Sequence, residues 1–363
     1  MSVAANSTFE ERRFHPADPA CYHYGRCLAN TVQLSADETE ARRVRVLCAV
    51  LCPETRKKRC ATEQETWGRH CDRLIFFADF DDAALGAVDV HPQFEGSKRV
   101  LRDKWARGWL HVLARYADEY DWFLKADDDS FVLVDNLRRY VVATRAQHDE
   151  STPRYVGRRF KEFGKLNRRF DAGAAYALNR PALRLLGCTL RINATGAARA
   201  VLPPGAPPHD GACEVAAGRT LRFDMAQFRS PGCINGWGSA CRCEWWIPRE
   251  HEDTNIAVCF RHYGVLPEET RVFRGDARGR ERFYTMAPWF IYSALATTLV
   301  GWERSYAFNS SANPCGCERV AAHPIAFHTM HRSYLHERAY CEVFRPNAPY
   351  CAGILAEKEF PTH

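Results

Sequence analysis

The feature that most constrains the fold is an alternation of short apolar runs with longer segments of helical periodicity. The first apolar run covers residues 44–51 and ends before Pro53, and polar, helix-like residues 55–69 follow it. The next predicted elements are strands at 74–77, 122–124 and 155–156 and helices at 99–117 and 133–143. Alternating strands and helices predict an α/β sheet with crossover helices. Such sheets bind ligands at the carboxyl ends of their strands.

Composition places the chain among soluble globular proteins. Apolar residues make up 46% of the 363 residues and charged residues 26%, which disfavours disorder and coiled coil. The net charge is +6, and the basic residues are dispersed. The short basic cluster at 56–59 is typical of a solvated face, with a phosphate-bearing small ligand as the alternative. No basic arm of the kind that binds nucleic acid is present.

Cysteine usage favours an oxidising, secretory compartment. The chain has 16 cysteines, and glycosylation sequons begin at Asn6, Asn193 and Asn309. Residues 1–40 contain no apolar run typical of a signal peptide or anchor. The most apolar stretch, 286–300, is short for a membrane span and is predicted to be core. Either an N-terminal anchor is missing from this chain, or the cysteines are not disulfides.

The pattern divides the chain into a domain with two flanking segments and an insertion. Residues 1–42 are predicted to be a flexible stem, 43–345 a globular domain and 346–363 a C-terminal tail. Within the domain, residues 188–249 hold five cysteines and a Pro-rich turn cluster, which indicates a Cys-rich insertion. A helical stretch begins at Glu250 and ends at Gly264, a typical helix C-cap.

The sharpest chemical motif is an apolar strand that runs directly into Asp127, Asp128 and Asp129. Side chains alternate along an extended segment, so Asp127 and Asp129 point the same way. Two carboxylates on one side suit Mg²⁺ or Mn²⁺, which would bridge nucleotide phosphates. The alternative is a solvated strand end. An EF-hand is excluded because Val132 and Arg138 stand where its loop needs Gly and Glu.

Two further constellations have both a structural and a chemical interpretation. Glu252 and Asp253 open a predicted helix, where acidic residues cap the N-terminus or act as a general base. His328 and His331 follow an apolar pair and are either structural or metal ligands. The Cys-X-Cys pairs at 241–243 and 315–317 favour disulfides over zinc. Serine-hydrolase, P-loop and dinucleotide-binding motifs are absent at strand–helix junctions.

The ordered motifs resemble the core 1 β1,3-galactosyltransferase family, a relative of Fringe and other inverting β1,3-glycosyltransferases. They are Asp-Trp-Phe-Leu-Lys-Ala-Asp-Asp-Asp at 121–129, Gly-Arg-Arg-Phe-Lys at 157–161, Glu252-Asp253 and Phe327-His328. Val46-Leu47-Cys48, Thr66-Trp67 and Cys71 also match that family's first strand and helix. The resemblance covers roughly residues 44–188 and 250–345.

This resemblance implies a GT-A-type glycosyltransferase fold over 43–345, Mn²⁺ or alternatively Mg²⁺ as the metal, and UDP-galactose as the donor. The implied metal ligands are Asp127, Asp129 and His328. Asp253 would be the general base, with Glu252 contacting or positioning the acceptor. The residues implied to bind the donor are Pro53, Glu54, Thr55, Lys125, Asp127, Asp128, Arg158 and Arg159, with Asp128 beside the sugar or ribose.

The implied acceptor is N-acetylgalactosamine on Ser or Thr of a glycoprotein, with Trp302 as an acceptor-stacking residue. The resemblance further implies disulfides Cys48–Cys71 and Cys188–Cys259, a Golgi location and a homodimer. Because the insertion leads into the acidic pair and is longer than the family's connection, the acceptor identity stays open. The alternatives are transfer of another sugar as in Fringe, a non-catalytic chaperone or binder on the same scaffold, and a metal-dependent hydrolase.

Overall fold

The computed structural model describes residues 34–90, 101–161, 169–192, 212–216, 219–222, 252–253, 256–257, 260, 265–268, 270, 282–283, 323–328, 333–344 and 348–356. Its strands are β1 (Val46–Cys52), β2 (Arg73–Ala78), β3 (Ala87–Asp89), β4 (Trp122–Ala126), β5 (Phe131–Val132), β6 (Tyr155–Lys161), β7 (Arg169–Asn179), β8 (Ala212–Ala216), β9 (Arg219–Arg222) and β10 (Ala326–Phe327). Its helices are α1 (Thr39–Arg43), α2 (Lys57–Glu65), α3 (Leu101–Tyr116), α4 (Val134–Thr144), α5 (Arg180–Ile192), α6 (Ser333–Phe344) and α7 (Pro349–Ala356).

Six strands form the central sheet in the order β3-β2-β1-β4-β7-β6. Strands β1 to β4 are mutually parallel where they pair, whereas β7 runs antiparallel to both β4 and β6. The chain moves from β1 to β2 on one side and later places β4 on the other side of β1. The carboxyl ends of β1 and β4 therefore flank a topological switch point, which is where open α/β sheets bind ligands.

Helices cover both faces of the sheet, so its central strands are buried throughout. Every residue of β1 is buried, and successive residues belong to different cores. One core joins the β1 face of Cys48 and Val50 to α2, α4 and α6, and the other joins the face of Leu47 and Ala49 to α3 and α5. This two-sided burial explains the continuous apolar run in the sequence.

The strands and helices predicted between residues 44 and 156 are confirmed, with boundaries that differ by a few residues. The resulting mixed α/β architecture, a mostly parallel sheet flanked by helices, is compatible with a GT-A-type fold. The sequence pattern did not predict β3, β7 or α5. Strand β7 contains the run of small residues at 171–175, which has low β propensity, and it is a strand because β4 and β6 pair with its two edges.

The segments predicted to be the stem, the insertion and the C-terminal tail also contain helices or strands. Glu38, next to α1, binds Arg139 of α4 with an N–O distance of 2.6 Å, and a disulfide joins Cys341 of α6 to Cys351 of α7. Helix α5 extends to Ile192, past the predicted start of the insertion, and strands β8 and β9 form an antiparallel pair within it. No helix in the described residues has the length and apolar character needed to cross a membrane.

The disulfide Cys48–Cys71, expected from the resemblance, is present and ties β1 to the segment before β2 across 23 residues. We expect the double variant Cys48→Ala/Cys71→Ala to lose about 3 kcal/mol of unfolding free energy, because the bridge restricts the unfolded chain. Urea unfolding of the variant and the wild type measures the loss. Coincident midpoints with equal slopes would show that this bridge contributes no stability.

Candidate active site

The acidic triplet follows β4 at the switch point of the sheet. The register pairs Val50 of β1 with Ala126 of β4, so the segment after β1 lies beside residues 127–129. Pro53, Glu54 and Thr55 are in this segment, and the Glu54 N–H donates to Asp79 Oδ1 at 3.0 Å. The structure therefore brings two groups of sequence-predicted site residues, 53–55 and 127–129, to one edge of the central sheet.

The structure also brings His328 to the triplet. Strand β10 pairs antiparallel with β5, with Phe327 opposite Phe131, so the residue after β10 reaches the residues before β5. His328 Nε2 lies 2.9 Å from Asp129 Oδ1 and 3.5 Å from Asp127 Oδ2. Burial lowers the pKa of His328, but its hydrogen bonds to Asp127 and Asp129 and their charges outweigh burial and raise it to about 10.

Asp127, Asp129 and His328 form a set of ligands suited to a divalent cation. One ligand atom from each residue lies within 4.8 Å of the others, and all three residues are half-buried. Two carboxylate oxygens and an imidazole nitrogen suit Mn²⁺ and also accept Mg²⁺. No other such group of acidic, His or Cys residues occurs in the part of the chain that the structure describes.

The buried ammonium of Lys125 contacts both this cluster and the helical segment that contains Glu252 and Asp253. Its Nζ lies 2.6 Å from Asp127 Oδ1 and 3.7 Å from Glu252 Oε2, and its side chain is 5% exposed. The ammonium also lies 5.3 Å from the ring centre of Trp105. Burial lowers the pKa of Lys125, but the charges of Asp127 and Glu252 outweigh burial and hold it above its usual range. Lys125 is thus a charged group that links two carboxylates.

A chain of two hydrogen bonds, from Trp109 to Tyr176 and from Tyr176 to Glu252, holds the Glu252 carboxylate. Tyr176 O–H donates to Glu252 Oε1, and Trp109 Nε1–H donates to Tyr176 Oη at 3.2 Å. Tyr176 pairs with Lys125 across β7 and β4, which places both on the same face of the sheet. Burial raises the pKa of Glu252 to about 7, although Lys125 opposes the shift. The sequence did not identify Tyr176, whose role depends on the pairing of β7 with β4.

Asp253 follows Glu252 in the same helical segment and is half-buried. Residues 252, 253, 256, 257 and 260 are helical, and the Val265 N–H donates to the Phe260 carbonyl at 2.8 Å. A hydrogen bond that spans five residues in this way is typical of a helix C-terminus, although Gly264 itself lies outside the described residues. The network of Lys125, Glu252 and Tyr176 therefore ties the helical segment that carries Asp253 to the end of β4.

Asp128 points away from the cation cluster, toward α2. Arg56 Nη1 donates to both of its carboxylate oxygens at 2.7 and 2.9 Å, and Arg59 Nη1 donates at 3.0 Å. The basic cluster at 56–59 is thus only partly a solvated face, because these two arginines hold a buried carboxylate. The alternation of side chains predicts that Asp128 faces away from Asp127, but its arginine partners follow only from the fold.

Glu63 lies one helical turn after Arg59, fully buried, and neither of its carboxyl oxygens has a hydrogen-bond partner. Burial, followed by the charges of Asp128 and Asp129, raises the pKa of Glu63 well above 4.5. Burial therefore favours the neutral, protonated form of the Glu63 carboxyl group in the folded protein. The sequence pattern treated residues 55–69 as a polar helix and did not single it out.

The raised pKa predicts a pH dependence of stability. Above pH 4.5, the ordinary pKa of a glutamic acid side chain, the unfolded state releases the Glu63 proton while the folded state holds it more tightly, so the unfolding free energy falls as pH rises. We expect Glu63→Gln to remove this part of the pH slope, and Glu63→Met to add about 1–3 kcal/mol at pH 7. Glu65→Gln, an exposed neighbour, is the control. Equal slopes for wild type and Glu63→Gln would contradict the assignment.

The remaining sequence-predicted residues lie partly outside the described part of the chain. Arg158 on β6 is described, and its Nη1 lies 3.5 Å from the Phe283 carbonyl oxygen. The side chain of Arg159 lies outside the described residues. The same applies to Trp302 and to the expected pair Cys188–Cys259. A further disulfide that the sequence did not single out, Cys52–Cys60, joins the end of β1 to α2.

Comparison with known proteins includes a partial match to a galactosyltransferase and assigns no family. No model of a protein family matches this chain. Over 150 residues the chain is 33% identical to glycoprotein-N-acetylgalactosamine 3-beta-galactosyltransferase 1 of Xenopus laevis. The match spans 41% of this chain and 40% of that relative. The chain is thus similar to a galactosyltransferase over less than half the length of either protein.

Proposed function

We propose that this protein is an inverting glycosyltransferase that moves galactose from UDP-galactose to the 3-hydroxyl of N-acetylgalactosamine on Ser or Thr of a glycoprotein. The observation that carries the proposal is the cluster of Asp127, Asp129 and His328 at the switch point, joined through Lys125 to the helix bearing Asp253. The name of the Xenopus laevis relative supports the choice of donor sugar and acceptor.

The cluster suits a Mn²⁺ or Mg²⁺ ion, which Asp127, Asp129 and His328 would hold. Such an ion, when bound, neutralises negative charge on the departing diphosphate. Lys125 keeps Asp127 in place through the 2.6 Å contact. The buried Tyr176–Glu252 hydrogen bond ties the helical segment of Glu252 and Asp253 to β7, which pairs with β4.

In the proposed reaction, the Asp253 carboxylate accepts the proton of the acceptor hydroxyl. The acceptor oxygen bonds to the anomeric carbon as the bond from that carbon to the UDP oxygen breaks, and the electron pair leaves with UDP. A single displacement inverts the anomeric centre and needs no covalent nucleophile. The contacts of Glu252 support a positioning role, because its carboxylate is buried and held by Tyr176.

We place this activity, as part of the proposal, in the secretory pathway. Three disulfides occur among the described residues, namely Cys48–Cys71, Cys52–Cys60 and Cys341–Cys351. Disulfides persist in oxidising compartments, which supports action on glycoproteins in the Golgi. A nucleotide-sugar donor and a glycoprotein acceptor are the proposed partners, with a homodimer as the proposed assembly.

A radiolabelled transfer assay tests the proposal. It combines the protein with UDP-galactose, Mn²⁺ and a peptide carrying N-acetylgalactosamine. We expect labelled peptide with a β1,3 linkage, and no product when EDTA is present. Labelled free galactose without labelled peptide would indicate a hydrolase, and transfer from UDP-N-acetylglucosamine alone would indicate a Fringe-like enzyme. Binding of UDP without turnover of any donor would favour the non-catalytic binder.

A further inference from the structure

The disulfide Cys52–Cys60 joins the last residue of β1 to the first turn of α2 and so closes the segment between them. Within it, residues 54–56 form a 3-10 helix and α2 begins at Lys57. The segment starts at the carboxyl end of β1 and lies beside residues 127–129. The bridge therefore ties Arg56, which stands in the segment, to the edge of the candidate active site.

Arg56 holds Asp128 with only one of its three nitrogens. Its Nη1 makes both contacts with the carboxylate of Asp128, and its Nε and Nη2 make no hydrogen bond within the described residues. The side chain of Arg56 is 50% exposed, whereas that of Asp128 is 10% exposed. A guanidinium presents five N–H donors in a fixed plane. Arg56 therefore offers an unused donor edge to solvent at the site.

Asp128 has little remaining capacity to bind a sugar hydroxyl. Its two oxygens accept three hydrogen bonds from Arg56 and Arg59, and the residue is 7% exposed. The resemblance implied that Asp128 lies beside the sugar or ribose. The observed contacts instead make Asp128 an internal anchor, and Arg56 is the more exposed member of the pair.

The position of Arg56, next to the N-terminus of α2, also favours the binding of an anion. It immediately precedes α2, which has nine residues, and no side chain caps this helix start. The partial positive charge of a helix N-terminus attracts phosphates. A guanidinium binds phosphate oxygens with charge-assisted hydrogen bonds. Arg56 is also close enough to the cation cluster for the charges of Asp129 and Asp127 to act on it: after Asp128, they help to raise its pKa.

We propose that Arg56 binds a phosphate group of the nucleotide-sugar donor, with Asp128 and the Cys52–Cys60 bridge holding its side chain in place. This inference rests on the proposed function, because it assumes a nucleoside diphosphate at the switch point. It assigns the donor contact to a residue that the sequence motifs do not include. The proposal also supplies the phosphate ligand that was the alternative interpretation of the basic cluster at 56–59. In this cluster Arg56 binds the phosphate, whereas Lys58 remains solvated.

Calorimetric titration with UDP and with uridine, each in the presence of Mn²⁺, tests the inference. We expect Arg56→Gln to weaken UDP binding about 10- to 100-fold, since a charge-assisted hydrogen bond is lost, and to change uridine binding less than about twofold. Lys58→Gln removes a charge from the same exposed segment and is the matched control. Arg56→Lys is expected to recover part of the UDP affinity.

The outcomes separate this inference from the proposed function. Unchanged UDP affinity in Arg56→Gln, with normal binding by the wild type, would overturn the role of Arg56 and leave the proposed function intact. Equal losses for UDP and uridine would also overturn it, because they would show that Arg56 only keeps Asp128 and the segment in shape. A wild-type protein that binds uridine and UDP equally, or neither, would overturn the phosphate contact together with the nucleotide-sugar donor.

Discussion

Replacing Asp253 by Asn is expected to lower the turnover number of galactose transfer by about 10²- to 10⁴-fold, the range that a positioned general base contributes. The amide keeps the size of the side chain but does not accept a proton at neutral pH. Asp253 is half-buried, and its neighbour Glu252 in the same helical segment lies 3.7 Å from Lys125. Because Asp253 is outside the cation cluster, affinities for Mn²⁺ and UDP are expected to stay near wild type.

The matched control is Glu252→Gln, one residue away and equally conservative. Glu252 is buried and receives the Tyr176 hydroxyl, so its amide variant is expected to lose less turnover than Asp253→Asn. Steady-state kinetics with UDP-galactose and a glycopeptide measure both variants, and calorimetry with UDP checks donor binding. A larger loss of turnover in Glu252→Gln than in Asp253→Asn would exchange the two roles and identify Glu252 as the base.

The sequence predicted the site best where local pattern and chemistry coincide. The apolar run of β4 and the acidic residues after it can be recognised without a fold, because a buried strand and its polar end are adjacent in the chain. The sequence pattern left His328 as either a structural residue or a metal ligand, and the resemblance assigned it to the metal. The structure adds the reason for its position, which is the antiparallel pairing of β10 with β5.

Contacts that depend on long-range pairing were not predictable in this way. Tyr176 reaches Glu252 because β7 pairs with β4, and β7 itself has a weak local pattern of small residues. Glu63 has an ordinary helical context in the sequence, and its full burial arises only in the folded chain. The role of Arg56 likewise cannot be recognised in a run of four basic residues, since only the fold distinguishes the two arginines that hold Asp128 from the solvated Lys58.

Replacing Asp129 by Asn is expected to weaken Mn²⁺ binding by on the order of 100-fold or more and to abolish transfer. Loss of a residue that merely orients a metal ligand costs about 10- to 100-fold in affinity, so loss of a carboxylate ligand is expected to cost at least as much. Electron paramagnetic resonance of free Mn²⁺ in a titration measures the affinity. Asp127→Asn is expected to show the same loss and lower stability besides, because Lys125 then loses the carboxylate at 2.6 Å.

Asp128→Asn is the matched control for these two variants, because it changes the middle residue of the same triplet. Asp128 faces Arg56 and Arg59, not the cluster of Asp127, Asp129 and His328. Its variant is therefore expected to keep Mn²⁺ affinity within a few-fold of wild type while it loses stability, since two arginines lose their buried partner. Equal loss of Mn²⁺ binding in all three variants would contradict the assignment of the ligands. A selective loss in Asp127→Asn and Asp129→Asn would mean that the alternation of side chains after β4 separates the metal ligands from the arginine anchor.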